Sequence, residues 1–107
     1  MYAMVRKYEM GTGSVEELMR VVDTRFADRA QADLGILGYQ AIALDDGTIM
    51  TVTLFDTEER LRQAEPMAER VREGLSEFRV TAVEAASGQV MVARGSQRLV
   101  DPVHAGA

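Results

Sequence analysis

The chain has 107 residues, 47% hydrophobic and 27% charged, the balance of a single small globular domain. Its net charge of −5 argues against broad contact with a nucleic-acid backbone, and no apolar run is long enough to cross a bilayer. The absence of cysteine excludes disulfides, thiolate nucleophiles and cysteine-based metal sites.

The opening residues lack the basic region, apolar stretch and small-residue cleavage site of a signal peptide, so a cytoplasmic protein is the expectation. Tyr2 to Glu9 reads as the first strand. Tyr2, Met4, Arg6 and Tyr8 alternate with Ala3, Val5, Lys7 and Glu9, so Arg6 shares its face with both tyrosines. Gly11-Thr12-Gly13 then breaks the pattern. Ser14 and Glu17 have capping-box spacing, and Val15, Leu18, Met19, Val22, Phe26 and Ala30 recur at helical steps.

Gly35 ends that helix. Ile36 to Leu44 has the content of a second strand, and Asp45-Asp46-Gly47 predicts a type I′ hairpin into a third, Thr48 to Phe55, where five of eight residues are β-branched. Thr57 caps a second helix whose apolar positions are Leu61, Ala64, Ala68, Val71, Leu75 and Phe78; Pro66 inside it predicts a kink or two abutting helices. Val80 to Glu84 reads as a lead-in or short edge strand, Ser87-Gly88 as a turn, and Gln89 to Arg94 as the fourth sheet strand. Residues 1–94 therefore form the domain and 95–107 a flexible C-terminal tail.

The order βαββαβ predicts an α+β, ferredoxin-like sandwich: a four-stranded antiparallel sheet with both helices on one face. The other face would also be apolar, through residues such as Val52 and Leu54, and a homodimer through the sheet faces would cover it.

Four stretches carry a resemblance: Arg6-Lys7-Tyr8 at a strand end, Gly35 to Tyr39, Phe55 to Glu59, and Gly88 to Ala93. Over roughly Tyr2 to Arg94 the chain resembles the dimeric α/β-barrel superfamily, in particular the antibiotic-biosynthesis-monooxygenase-like proteins. That resemblance implies two sheets facing each other across a dimer and a pocket between sheet and helices in each protomer. It admits several chemistries: cofactor-independent monooxygenation, heme degradation, heme-dependent peroxidation and muconolactone isomerisation.

The residues narrow that range. The heme-degrading members use an Asn, a Trp and a His, whereas this chain has no Asn, no Trp and one histidine, His104, in the tail. The carboxylate pairs Asp45-Asp46 and Glu58-Glu59 are explained by a hairpin and a helix start, and no metal site is expected. Ser14 and Ser87 lack the context for nucleophilic work, and Gly11-Thr12-Gly13 lacks the rest of a phosphate loop.

What remains is a cofactor-free oxygenation of an aromatic or quinol substrate, or a non-catalytic ligand-binding or structural dimer. The first requires an apolar cavity, a charge that favours the substrate anion and donors to hold an oxyanion. Arg6, Tyr8 and Tyr39 are the candidate catalytic residues, and Tyr2, Met19, Phe26 and Met50 the candidate substrate-binding ones. No cofactor is expected, and the expected partners are a second copy of the chain and a small aromatic ligand, without nucleic acid or membrane.

Overall fold

The computed structural model describes residues 1–27 and 35–105, with the side chains of Phe26 and Ala27 outside the described set. Strand β1 (Tyr2–Glu9) leads into helix α1 (Val15–Val22), which widens into a π-type turn at Asp23–Ala27. Strands β2 (Gly38–Ala43) and β3 (Ile49–Phe55), helix α2 (Glu58–Glu73) and strand β4 (Thr81–Gln89) follow. The strands form one antiparallel sheet in the order β2-β3-β1-β4. This is the ferredoxin-like sandwich that the order of elements predicts.

Local chemistry starts each helix. The Ser14 hydroxyl accepts from the Glu17 N–H at 3.2 Å, and the Thr57 hydroxyl accepts from the Arg60 N–H at 3.2 Å, satisfying donors that a helix start leaves open. Gly13 is needed just before α1. Its φ is +83°, and a Cβ there would come within 2.9 Å of the Phe78 ring. The Gly11 and Thr12 N–H groups donate to the Phe78 carbonyl, tying this loop to the short turn Ser76–Phe78 that follows α2.

Two local expectations are corrected, for the hairpin and the fourth strand, and one about Pro66 is narrowed. The hairpin is not type I′, because only Gly47 has a positive φ (84°); Asp45 and Asp46 do not. Gly47 N–H donates to the Leu44 carbonyl and Leu44 N–H to the Thr48 carbonyl, giving a three-residue loop that ends in a left-handed glycine. The Asp46 carboxylate accepts from the Thr48 N–H at 3.0 Å, a local bond that fixes this alternative.

Helix α2 runs through Pro66 as one element rather than two. Pro66 is exposed, so the carbonyl deprived of its N–H partner lies on the wet side of the helix, where water can serve it.

The fourth strand lies earlier than its sequence suggests. It is Thr81–Gln89, it includes Ser87 and Gly88, and it ends where the strongly apolar Val90-Met91-Val92 begins. β1 dictates this choice, since Tyr2 to Glu9 pairs along its length with Gln89 to Thr81. A bulge between Lys7 and Tyr8 leaves Val83 unpaired in that register. Met91 and Val92 are 81% and 82% exposed. The tail turns through Gln97–Val100, and His104 Nδ1 lies 2.8 Å from Asp23 Oδ2 at the end of α1.

The apolar interior between sheet and helices is divided in two. One cluster joins Leu18, Val22, Ile49, Leu75, Phe78 and Val80, and the other joins Met4, Ile36, Phe55, Leu61 and Ala64. The division follows from β3. Its helix-facing positions are Ile49, Thr51, Thr53 and Phe55, with large side chains at both ends and threonines in the middle. Above the middle, α2 presents Ala64 and Ala68. Small residues on both layers leave a space that neither cluster fills.

Candidate functional site

That space is a cavity of about 320 Å³ between the sheet and the helices. Its walls are mainly apolar, with Leu18, Met19, Ile49 and Phe55 among them, and a few polar groups converge on it. β1 supplies Arg6 and Tyr8, β3 supplies Thr51 opposite Arg6, and β2 supplies Tyr39 opposite Thr53. Helix α2 adds Arg70 and Arg72 in its last turn.

Arg6 is half-buried. Its Nε–H points at the Met4 sulfur, 3.3 Å away, and it forms no ion pair with a carboxylate among the described residues. A thioether is a weak acceptor, so most of the guanidinium's five-donor capacity remains available to the cavity. Arg72 is differently placed. It donates to the Glu69 carboxylate and, through Nη1, to the Val80 carbonyl at 3.2 Å.

Both cavity tyrosines are held in the protonated form. Burial pushes the Tyr8 hydroxyl above its ordinary value, and the Arg6 charge beside it only partly offsets this. Burial pushes Tyr39 up to about 12, with Tyr8 adding to the effect. Tyr39 still has 36% of its surface accessible, so one side of the ring meets solvent while the hydroxyl lies among cavity groups. At neutral pH the two hydroxyls are donors.

The structure thus gathers Arg6, Tyr8, Tyr39 and Met19 around one space. Met50 does not reach it. Strand alternation places Met50 opposite Lys7 and Ile42, on the sheet face away from the helices. Tyr2 is on the helix-facing side but at the far end of β1, where it packs on the second cluster and borders a separate groove with Leu61 and Gln89. The Phe26 side chain lies outside the described residues.

Sequence reasoning passed over Thr51, Arg70 and Arg72. Arg72 follows Ala68 by four residues and so extends the inward stripe of α2, a signal that was present in the spacing. Among the described residues no group of three or more His, Asp or Glu side chains could hold a metal ion, and no helix is long and apolar enough to cross a membrane.

No family model matches the sequence, and no curated protein matches it. Solved structures do. A dimeric ferredoxin-like protein from an uncultured marine organism superposes with a TM-score of 0.69 at 12% identity, over 90% of this chain and 100% of the other. A proposed antibiotic biosynthesis monooxygenase of Deinococcus radiodurans gives 0.63 at 13% identity, over 89% and 98%. These structures share the ferredoxin-like fold of this chain. A Streptomyces coelicolor monooxygenase, solved with the ligand nanaomycin D, gives 0.58 at 16% identity over 88% and 92%. At these identities the likeness describes the ferredoxin-like fold and leaves the chemistry to the site itself.

Proposed function

We propose that this protein acts on a small aromatic molecule in the cavity and oxygenates it with dioxygen, without metal or organic cofactor. The observation that carries the reading is Arg6: a half-buried guanidinium, in an apolar cavity, with no carboxylate partner among the described residues. A charge so placed is costly unless something anionic arrives to meet it.

The chemistry suits an anthrone-type quinol. Loss of a proton from the ring methylene to water, regained later by the peroxide, gives an anion that Arg6 favours and that passes one electron to dioxygen. The resulting radical and superoxide combine into a carbon-bound peroxide, whose O–O bond breaks as water leaves. One oxygen atom ends in the new carbonyl and the other in water, so the four electrons lost by carbon are those gained by dioxygen. Tyr8 and Tyr39, protonated, donate hydrogen bonds to the oxyanion as charge develops. The apolar walls keep water from the reactive intermediates.

The face of the sheet away from the helices presents Val5, Ile42, Met50, Val52, Leu54 and Ala86. A second copy of the chain packed on this face accounts for it, and the similarity to a dimeric ferredoxin-like protein supports that arrangement. In this reading residues 1–94 are the working domain, and 95–107 are an appendage to it.

Dioxygen consumption with an anthrone-type quinol, with no added metal or flavin, tests the activity. The expected result is a rate above the uncatalysed background that falls by at least about ten-fold in Arg6→Ala. A rate at background, or one indifferent to Arg6→Ala, overturns the reading.

A further inference from the structure

All of the charged residues that line the cavity, as described, carry the same sign: Arg6, Arg70 and Arg72. The chain as a whole is acidic, at −5, with 17 Asp and Glu against 12 Lys and Arg. A cavity drawn at random from such a surface would be expected to include carboxylates. Glu69, whose charge is felt by both Arg6 and Tyr8, is turned to Arg72 and does not line the space.

We infer that the ligand is an aromatic carboxylate, its carboxyl group seated on Arg6 between the hydroxyls of Tyr8, Tyr39 and Thr51. This inference rests on the cavity-binding part of the proposed function and adds the ionic class of the molecule bound. Arg6 offers a planar fork that matches a carboxylate in a two-point contact. Register brings the three hydroxyls to the same side: Thr51 faces Arg6 across the β1–β3 ladder, Tyr8 follows two residues along β1, and Tyr39 reaches in from β2. The apolar half of the cavity, from Leu18 to Phe55, takes the rings.

The behaviour of Tyr8 distinguishes a carboxylate from a simple phenol. Tyr8 is itself a phenol held beside Arg6, and its hydroxyl titrates above, not below, its ordinary value, because burial outweighs the neighbouring charge. A ligand phenol arrives neutral and offers Arg6 a charge only once it loses its proton. A carboxylic acid is ionised in water long before it arrives. The two protonated tyrosines then serve as donors to it and carry no charge of their own to oppose it.

The test compares 2-naphthoate with 2-naphthamide, two probes of the same ring and nearly the same shape that differ in charge. Titration calorimetry at neutral pH is expected to show naphthoate binding at least about ten-fold more tightly. Arg6→Gln is expected to abolish that preference, and Tyr39→Phe to reduce it by a smaller factor. Circular dichroism of each variant reports folding independently. Equal affinity for the two probes, failure of both to bind, or a preference that survives Arg6→Gln overturns the inference. Oxygenation is read separately. A carboxylate preference without dioxygen consumption leaves this inference standing and removes the proposed activity, whereas turnover of quinols without any charge preference does the reverse.

Discussion

The Arg72 guanidinium joins helix to strand: its Nη1 donates to the Val80 carbonyl at 3.2 Å while its other nitrogens hold the Glu69 carboxylate. One side chain thereby fixes the last turn of α2, the approach to β4 and one wall of the cavity. Arg72→Met is expected to lower the urea midpoint at neutral pH. Glu69 lies below its usual value of 4.5, chiefly because it accepts hydrogen bonds from Arg72. A depressed carboxyl contributes stability above its unfolded value and loses it as pH falls through the folded one. The gap between wild type and Arg72→Met should therefore be full above about pH 4.5 and close as the solution becomes more acidic.

Tyr39 provides a test at the other end of the scale. With its hydroxyl pushed up to about 12, it should remain protonated where an ordinary tyrosine has ionised. A group raised in the folded state withdraws stability as pH climbs from the unfolded value, near 10, through the folded one. Absorbance titration at alkaline pH is expected to show a late-ionising tyrosine that disappears in Tyr39→Phe. The variant should also lose less stability than wild type over that interval.

Pro66 interrupts the hydrogen bonding of an otherwise continuous helix and is exposed to solvent. Pro66→Ala restores one N–H donor and removes the ring's clash with the preceding turn. The expected gain is about 1–3 kcal/mol in denaturant unfolding, with the cavity unchanged, since Pro66 does not line it.

Val52 lies at the centre of the apolar sheet face, paired with Val5 on β1 and Gln40 on β2. If a second copy covers this face, Val52→Glu buries a charge without a partner and should weaken self-association by at least about a hundred-fold. Sedimentation velocity at micromolar concentration reads this directly. A wild-type protein that sediments as a monomer removes the two-copy arrangement.

Much of the architecture could be read from residue patterns because each signal had a local physical cause. Ser14 and Thr57 do cap helices, and Leu61, Ala64, Leu75 and Phe78 are buried as their spacing predicts. β4 was misplaced because an edge strand of Ala82, Ala85, Ala86 and Gly88 has little strand preference of its own; β1 selects it by pairing, a long-range cause that propensity does not contain. The hairpin type was misjudged because Asp46 bonds to Thr48 instead of adopting a positive φ.

The site was legible in part for the same reasons. Parity placed Arg6 and Tyr8 together, and the structure puts both on the cavity. Parity also gives Met50 to the opposite face, although its place there was settled only by the β1–β3 register. The cavity had a sequence trace of its own, in threonines at 51 and 53 between Ile49 and Phe55 and in alanines at 64 and 68. Reading it requires knowing that these two layers face each other.

The strand order β2-β3-β1-β4 also imposes a timetable on folding. Of the four strands β1 is made first, yet it occupies an inner position, flanked by β3 and by β4, whose last residue is Gln89. The β2–β3 hairpin can form as soon as its short loop is made, whereas β1 must wait with one edge bare until β4 is made. Closure of the sheet is a late, long-range event that brings residues nearly ninety positions apart into register, and slow refolding relative to helical proteins of this size follows from it. The outer position of β4 makes its docking the step that ends the exposure of the earliest-made strand.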